Sequence, residues 1–109
     1  KETTLPLHMY GPDGKKLRTF ECNEGIPADA KKRDVGLNQT MASKDYVIFC
    51  NRGYMRIFDK KDGKYVGDIE LKLGEQTLHP KGITVDEENH IYFVSQSGKD
   101  PNHIYRIDL

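Results

Sequence analysis

The chain has 109 residues, and 17 lysines and arginines balance 17 aspartates and glutamates. A chain of this length has room for one hydrophobic core. Its zero net charge provides no overall basic field to favour nucleic acid. The apolar runs reach about four to five residues, far short of the roughly 20 that cross a bilayer, so no membrane span is expected.

The first readable elements predict a β-hairpin. Leu5 to Tyr10 and Lys16 to Glu21 are strand candidates, and the turn between them reads Gly-Pro-Asp-Gly. Proline and an Asp-Gly pair supply the backbone angles of a tight reversal. The first two strands are therefore expected to pair directly with each other.

Residues 24 to 44 give a weaker pattern. Ala28 to Arg33 is compatible with a helical turn, although a solvated connection is the favoured interpretation of this charged stretch. Val35 to Met41 is a weak strand candidate. This segment is expected to link two better-defined parts of the chain.

The middle of the chain predicts an antiparallel meander. Tyr46 to Cys50 is apolar at every position, which is typical of a strand covered on both faces. Tyr54 to Asp59 follows as a strand, and Lys64 to Leu71 returns after the turn Lys60-Lys61-Asp62-Gly63.

The last third predicts three more strands. Gly82 to Asp86 and Ile91 to Val94 flank a turn in which Asn89 is expected to adopt the left-handed backbone conformation. Ile104 to Leu109 follows a polar loop. The chain is thus expected to be all-β, with about nine antiparallel strands and no assured helix.

Two segments of this pattern recur. YVIFCN at 46–51 aligns with IYFVSQ at 91–96 at an offset of 45, and YMRIFD at 54–59 parallels HIYRID at 103–108 at an offset of 49. A period of this length that holds four antiparallel strands is what one blade of a β-propeller requires.

The stretch PKGITVDEENHIYFVSQSG, followed by HIYRID, resembles NHL-type repeats of six-bladed propellers. The resemblance implies an incomplete propeller segment built from four-stranded antiparallel blades. Residues 1–24 would form strands C and D of a first blade, 25–73 a second blade, and 74–109 strands A to C of a third. A longer parent chain or further copies would supply the remaining blades. A self-contained meander or sandwich of nine strands is the alternative fold.

In a propeller of this kind, the loops joining D to A and B to C lie on the face that usually binds ligands. The resemblance places six polar residues there: Asp34, Asn51, Arg52, His79, Lys81 and Gln96. The function expected from this set is a non-enzymatic binding scaffold for a protein, peptide or glycan ligand, with no catalytic residue and no cofactor.

A metal-dependent enzyme is the alternative function. Some lactonase-like and lyase-like propellers draw one metal ligand from each of several blades, which makes His79 a weak candidate ligand for calcium or zinc. The four histidines show no HExxH or paired spacing. The enzyme interpretation therefore requires metal ligands outside this chain.

Two smaller signals concern the chain's setting. The absence of a first methionine and the Asn38-Gln39-Thr40 sequon slightly favour a secreted or periplasmic protein. Cys22 and Cys50 allow a disulfide, but a buried thiol at Cys50 is the preferred interpretation.

Overall fold

The chain is described from a computed structural model, which covers residues 7–21, 25–32, 39–51, 53–95 and 103–109. These residues form strands and one short 3-10 helix at Ala30–Lys32, so the expected all-β class is confirmed. The strands are β1 Leu7–Tyr10, β2 Lys16–Phe20, β3 Gln39–Ala42, β4 Tyr46–Asn51, β5 Tyr54–Asp59, β6 Tyr65–Glu70, β7 Lys72–Leu73, β8 Gln76–Thr77, β9 Pro80–Val85, β10 His90–Ser95 and β11 Ile104–Asp108. Across these ranges, no helix is long and apolar enough to cross a membrane.

All the pairings between these strands are antiparallel and follow chain order. β1 and β2 form the first sheet, β3 to β6 a four-stranded second sheet, and β9 to β11 a three-stranded third sheet. β7 and β8 form a separate small hairpin. The predicted hairpin and meander are confirmed, and β3 joins the meander as its fourth strand.

The second sheet is covered on both of its faces. One face packs against the first sheet in a core of Phe20, Ile26, Ala30, Val47, Phe49 and Phe58. The other face packs against the third sheet and the chain leading to it, in a core of Ile48, Cys50, Met55, Ile57, Leu71, Leu78, Ile91 and Phe93. Successive residues of a strand point to opposite faces, so the continuous apolar run of β4 supplies both cores.

The pairing register corrects the repeat offset for β4 and β10. Tyr46 lies opposite Asp59, and His90 lies opposite Asp108, so Tyr46 is equivalent to His90 and the offset is 44. A one-residue shift moves every side chain to the other face of a strand. Ile91 is therefore the counterpart of Val47, and both face the preceding sheet.

In the connecting segments, one expectation was wrong and one element was missed. Ala30 is only 1% exposed and lies within the first core, so the solvated connection favoured for Ala28 to Arg33 does not hold at this residue. The β7–β8 hairpin was not predicted, because two-residue strands are too short to show an alternating pattern.

Candidate functional site

The entrance to β9 is fixed by two hydrogen bonds to neighbouring strands. The His79 amide donates to the hydroxyl of buried Ser95 at 3.2 Å, at the end of β10. The Gln39 side-chain amide, at the start of β3, donates to the Pro80 carbonyl at 2.8 Å. The Gln39–Pro80 bond joins the second and third sheets at the starts of β3 and β9.

We call this edge of the second and third sheets the polar end. It holds the starts of β3 and β9 and the ends of β4 and β10, because Gln39 pairs with Cys50 and Pro80 pairs with Ser95. The backbones of Asn51, His79 and Lys81 lie at the polar end. Of the other predicted site residues, Asp34, Arg52 and Gln96 lie outside the described residues.

The side chains at the polar end differ in exposure. His79 is partly buried, whereas Lys81 is exposed on β9 across from Val94. Lys81 is therefore open to solvent, whereas the His79 imidazole is partly shielded from it. Ligand binding by these two residues remains a prediction.

The β7–β8 hairpin adds a feature that sequence reasoning missed. It is anchored where the Leu71 amide donates to the Gly53 carbonyl at 2.8 Å, and the Leu78 amide to the Leu71 carbonyl at 2.9 Å. Leu71 and Leu78 are buried, while Leu73 on the hairpin is 57% exposed. Gly74, at a φ of 64°, was the one available turn signal. The hairpin places an exposed, mixed polar and apolar rim beside Gly53, at the polar end.

The opposite end of the third sheet carries a hydrogen-bonded group around Asp86. Its carboxylate accepts bonds from the backbone amides of His90 at 3.0 Å and Glu88 at 2.9 Å, and it also contacts the His90 ring and the Tyr92 hydroxyl. The His90 amide bond is the largest of the effects that lower the pKa of Asp86 below its usual range. The bond to Asp86 in turn raises the pKa of Tyr92. These groups stabilise a turn.

Asn89 joins the second and third sheets at that end. Its backbone is left-handed, at a φ of 65°, as predicted. Its side-chain oxygen accepts bonds from the Ser43 hydroxyl at 2.8 Å and the Asp45 amide at 3.0 Å, and its amide donates to the Asp45 carboxylate at 2.7 Å. The sequence identified Asn89 as a turn residue but not as an intersheet contact.

A buried ion pair lies within the second sheet. The fully buried Arg56 guanidinium donates to both carboxylate oxygens of Asp68, at 2.9 and 3.0 Å, and to the Ala30 carbonyl at 2.7 Å. It thereby ties the 3-10 helix to the sheet. An arginine within the otherwise apolar YMRIF run was the available signal for this pair.

The described residues contain neither a metal-binding group nor an activated thiol. Within the described ranges, no group of three or more histidine, cysteine, aspartate or glutamate side chains could hold a metal ion. Burial raises the pKa of the Cys50 thiol to about 11, which makes it a poor nucleophile at neutral pH. Cys22 lies outside the described residues. A metal-dependent activity stays a prediction.

No family model matches the chain, and no curated protein or solved structure shows significant similarity to it. The resemblance to NHL-type repeats therefore stays a prediction from the sequence.

Proposed function

We propose that the chain is a segment of a β-propeller whose polar end serves as a binding scaffold for a protein, peptide or glycan ligand. In this proposal the second sheet is one complete blade, and the first and third sheets belong to its two neighbours. The observation that carries the proposal is the four-stranded meander of the second sheet, which is packed on both faces by other antiparallel sheets.

The equivalent faces of successive sheets support the propeller arrangement. Val47 and Phe49 of the second sheet pack toward the first sheet, and their counterparts Ile91 and Phe93 pack toward the second. β4 of the second sheet and the equivalent strand β10 of the third sheet thus turn the same face toward the preceding sheet. This head-to-tail repetition is expected when blades succeed one another around an axis.

The polar end suits ligand binding for two reasons. The strand starts and ends at the polar end are joined by the Gln39–Pro80 and His79–Ser95 hydrogen bonds. Exposed Lys81 and the rim of the β7–β8 hairpin then offer charged, polar and apolar contacts on this fixed base. A rigid scaffold that carries variable loops is a common design for recognition.

The proposal can be tested by screening the chain, carrying one biotin at its amino terminus, against a random peptide library on phage and a glycan array. The His79→Ala/Lys81→Ala variant removes two side chains of the polar end. Its matched control is Glu87→Ala/Glu88→Ala in the turn at the opposite end. We expect saturable binding that the first variant loses and the control retains. Absence of saturable binding, or equal loss in both variants, would overturn the proposal.

A further inference from the structure

A cleft remote from the polar end collects basic side chains from two sheets. It lies between the first sheet and the turns of the second, has a volume of about 650 Å³, and is lined by the basic residues Arg18, Lys44, Lys60 and Lys61. We call it the basic cleft. It borders Tyr46 at the start of β4, whereas the polar end holds Asn51 at the end of that strand.

The acidic side chains of the cleft do not cancel this charge. Only Asp45 and Asp59 accompany the four basic residues in the lining. The Asp59 carboxylate accepts the Lys61 amide at 2.7 Å, and the Asp45 carboxylate accepts the Asn89 side-chain amide at 2.7 Å. Both carboxylates keep their negative charge in these bonds, but four basic side chains against two acidic ones leave the lining with a formal excess of two positive charges.

Arg18 is held in the lining of the cleft by the second sheet. One terminal nitrogen of its guanidinium donates to the Lys61 carbonyl. Its Nε is buried and has no hydrogen-bond partner among the residues that the structure describes.

The remaining lining is apolar or aromatic. Met9 and Leu17 of the first sheet and Tyr46 of the second border the cleft, and Leu17 is 61% exposed. An exposed leucine beside a basic site favours a ligand that has an apolar part as well as a negative charge.

We propose that the basic cleft binds a small phosphate monoester that carries an apolar substituent. A phosphate monoester bears a charge of about −1.5 to −2 at neutral pH and has three strong acceptor oxygens. Arginine and lysine are the usual donors to such groups. The volume falls within the roughly 300–1,000 Å³ that is typical of small-molecule sites.

The test is isothermal titration calorimetry of the whole chain with phenyl phosphate, which combines the phosphate with an aromatic ring. Inorganic phosphate and benzyl alcohol each supply one of these two parts. We expect saturable binding of phenyl phosphate, several-fold tighter than that of inorganic phosphate, and none of benzyl alcohol. A phosphotyrosine peptide is the second ligand, and binding of the peptide alone would overturn the small-molecule proposal.

Variants assign the binding to the cleft. Lys60→Gln and Arg18→Gln should each weaken phenyl phosphate binding about tenfold, as expected for loss of a charge-assisted hydrogen bond. Lys31→Gln, an exposed lysine on the 3-10 helix that is not among the lining residues of the cleft, is the matched control and should leave binding unchanged. Because Arg18 also contacts the Lys61 carbonyl, Lys60→Gln keeps the test decisive if Arg18→Gln fails to fold. Absence of saturable binding, or equal weakening in Lys31→Gln, would overturn the proposal.

Discussion

Single residues fix the turns and connections of this chain through a few strong polar contacts. Asp86 organises the β9–β10 turn by accepting four hydrogen bonds, and Arg56 ties the 3-10 helix to the second sheet. Both roles depend on charge, so they can be tested by pH and by paired substitutions.

Asp86 should make folding sensitive to acid. Its pKa is lowered in the folded chain, so its stabilisation is present above the unfolded-state pKa of about 3.9 and is lost as pH falls toward the folded-state pKa. Urea unfolding of the wild-type chain should show a free energy of unfolding that declines below about pH 5. Asp86→Asn should flatten this decline, and Glu87→Gln in the same turn should not. A decline that is identical in wild type and Asp86→Asn would contradict the assignment.

The Arg56–Asp68 pair should be costly to break from one side only. Arg56→Met removes the guanidinium that neutralises the buried Asp68 carboxylate and should lower the free energy of unfolding by about 3–5 kcal/mol. The double variant Arg56→Met/Asp68→Leu should recover much of this loss, because no buried charge remains. Chemical denaturation of Arg56→Met, Asp68→Leu and the double variant measures the coupling between the two side chains. Additive effects would show that the two side chains act independently.

At the level of elements, β9 contains a bulge that the sequence did not indicate. Gly82 and Ile83 both lie opposite Phe93, because the register shifts between Tyr92 and Val94. Gly82 has a φ of 57°, as is typical of the first residue of a glycine bulge. An added Cβ at Gly82 would meet only Val94, at an ordinary 3.9 Å, so backbone strain rather than crowding is the reason to expect instability on substitution.

Gly82→Ala should therefore destabilise the chain by about 1–2 kcal/mol, the cost of a left-handed conformation for a residue with a Cβ. Gly82→Val should cost at least as much. The matched control is Gly67→Ala on β6, where the backbone is not left-handed and an added Cβ meets no atom within 4 Å. Thermal unfolding of the variants gives the comparison. A Gly82→Ala chain as stable as Gly67→Ala would contradict the strain argument.

Asn89 should be important both for its backbone and for its side chain. Asn89→Gly keeps the left-handed turn but removes the bonds to Ser43 and Asp45, and should cost about 1–2 kcal/mol. Asn89→Ala adds backbone strain and should cost about 1 kcal/mol more. Equilibrium unfolding of the two variants separates these contributions. If Asn89→Gly were as stable as wild type, the intersheet bonds would be energetically unimportant.

The sequence predicted the elements better than their contacts. Alternating and continuous apolar runs located β4, β5 and β10 closely, because burial on one face or two leaves a direct pattern in the residues. The buried Ala30 and the Arg56–Asp68 pair were missed, because both depend on packing between segments distant in the chain. Of the predicted site, His79 and Lys81 could be placed at one end of the sheets, but no pattern indicated the basic cleft, which two sheets form together.

For the whole molecule, the main feature is the succession of three antiparallel sheets packed face to face. Both faces of the second sheet contribute to cores shared with other sheets, while Ile104 on the third sheet is 75% exposed. Both proposals depend on this arrangement. The polar end needs the second and third sheets to begin side by side, and the basic cleft needs the first sheet to lie against the turns of the second.

The most direct test of the stacking is a nuclear Overhauser spectrum of the isotope-labelled chain. Stacked sheets should give cross-peaks between the ring protons of Phe20 and Phe58, whose centroids are 6.4 Å apart in an edge-to-face arrangement. They should also give cross-peaks between the Asn89 side-chain amide and the Asp45 backbone amide. Cross-strand signals within each sheet without either of these intersheet signals would contradict the stacked arrangement.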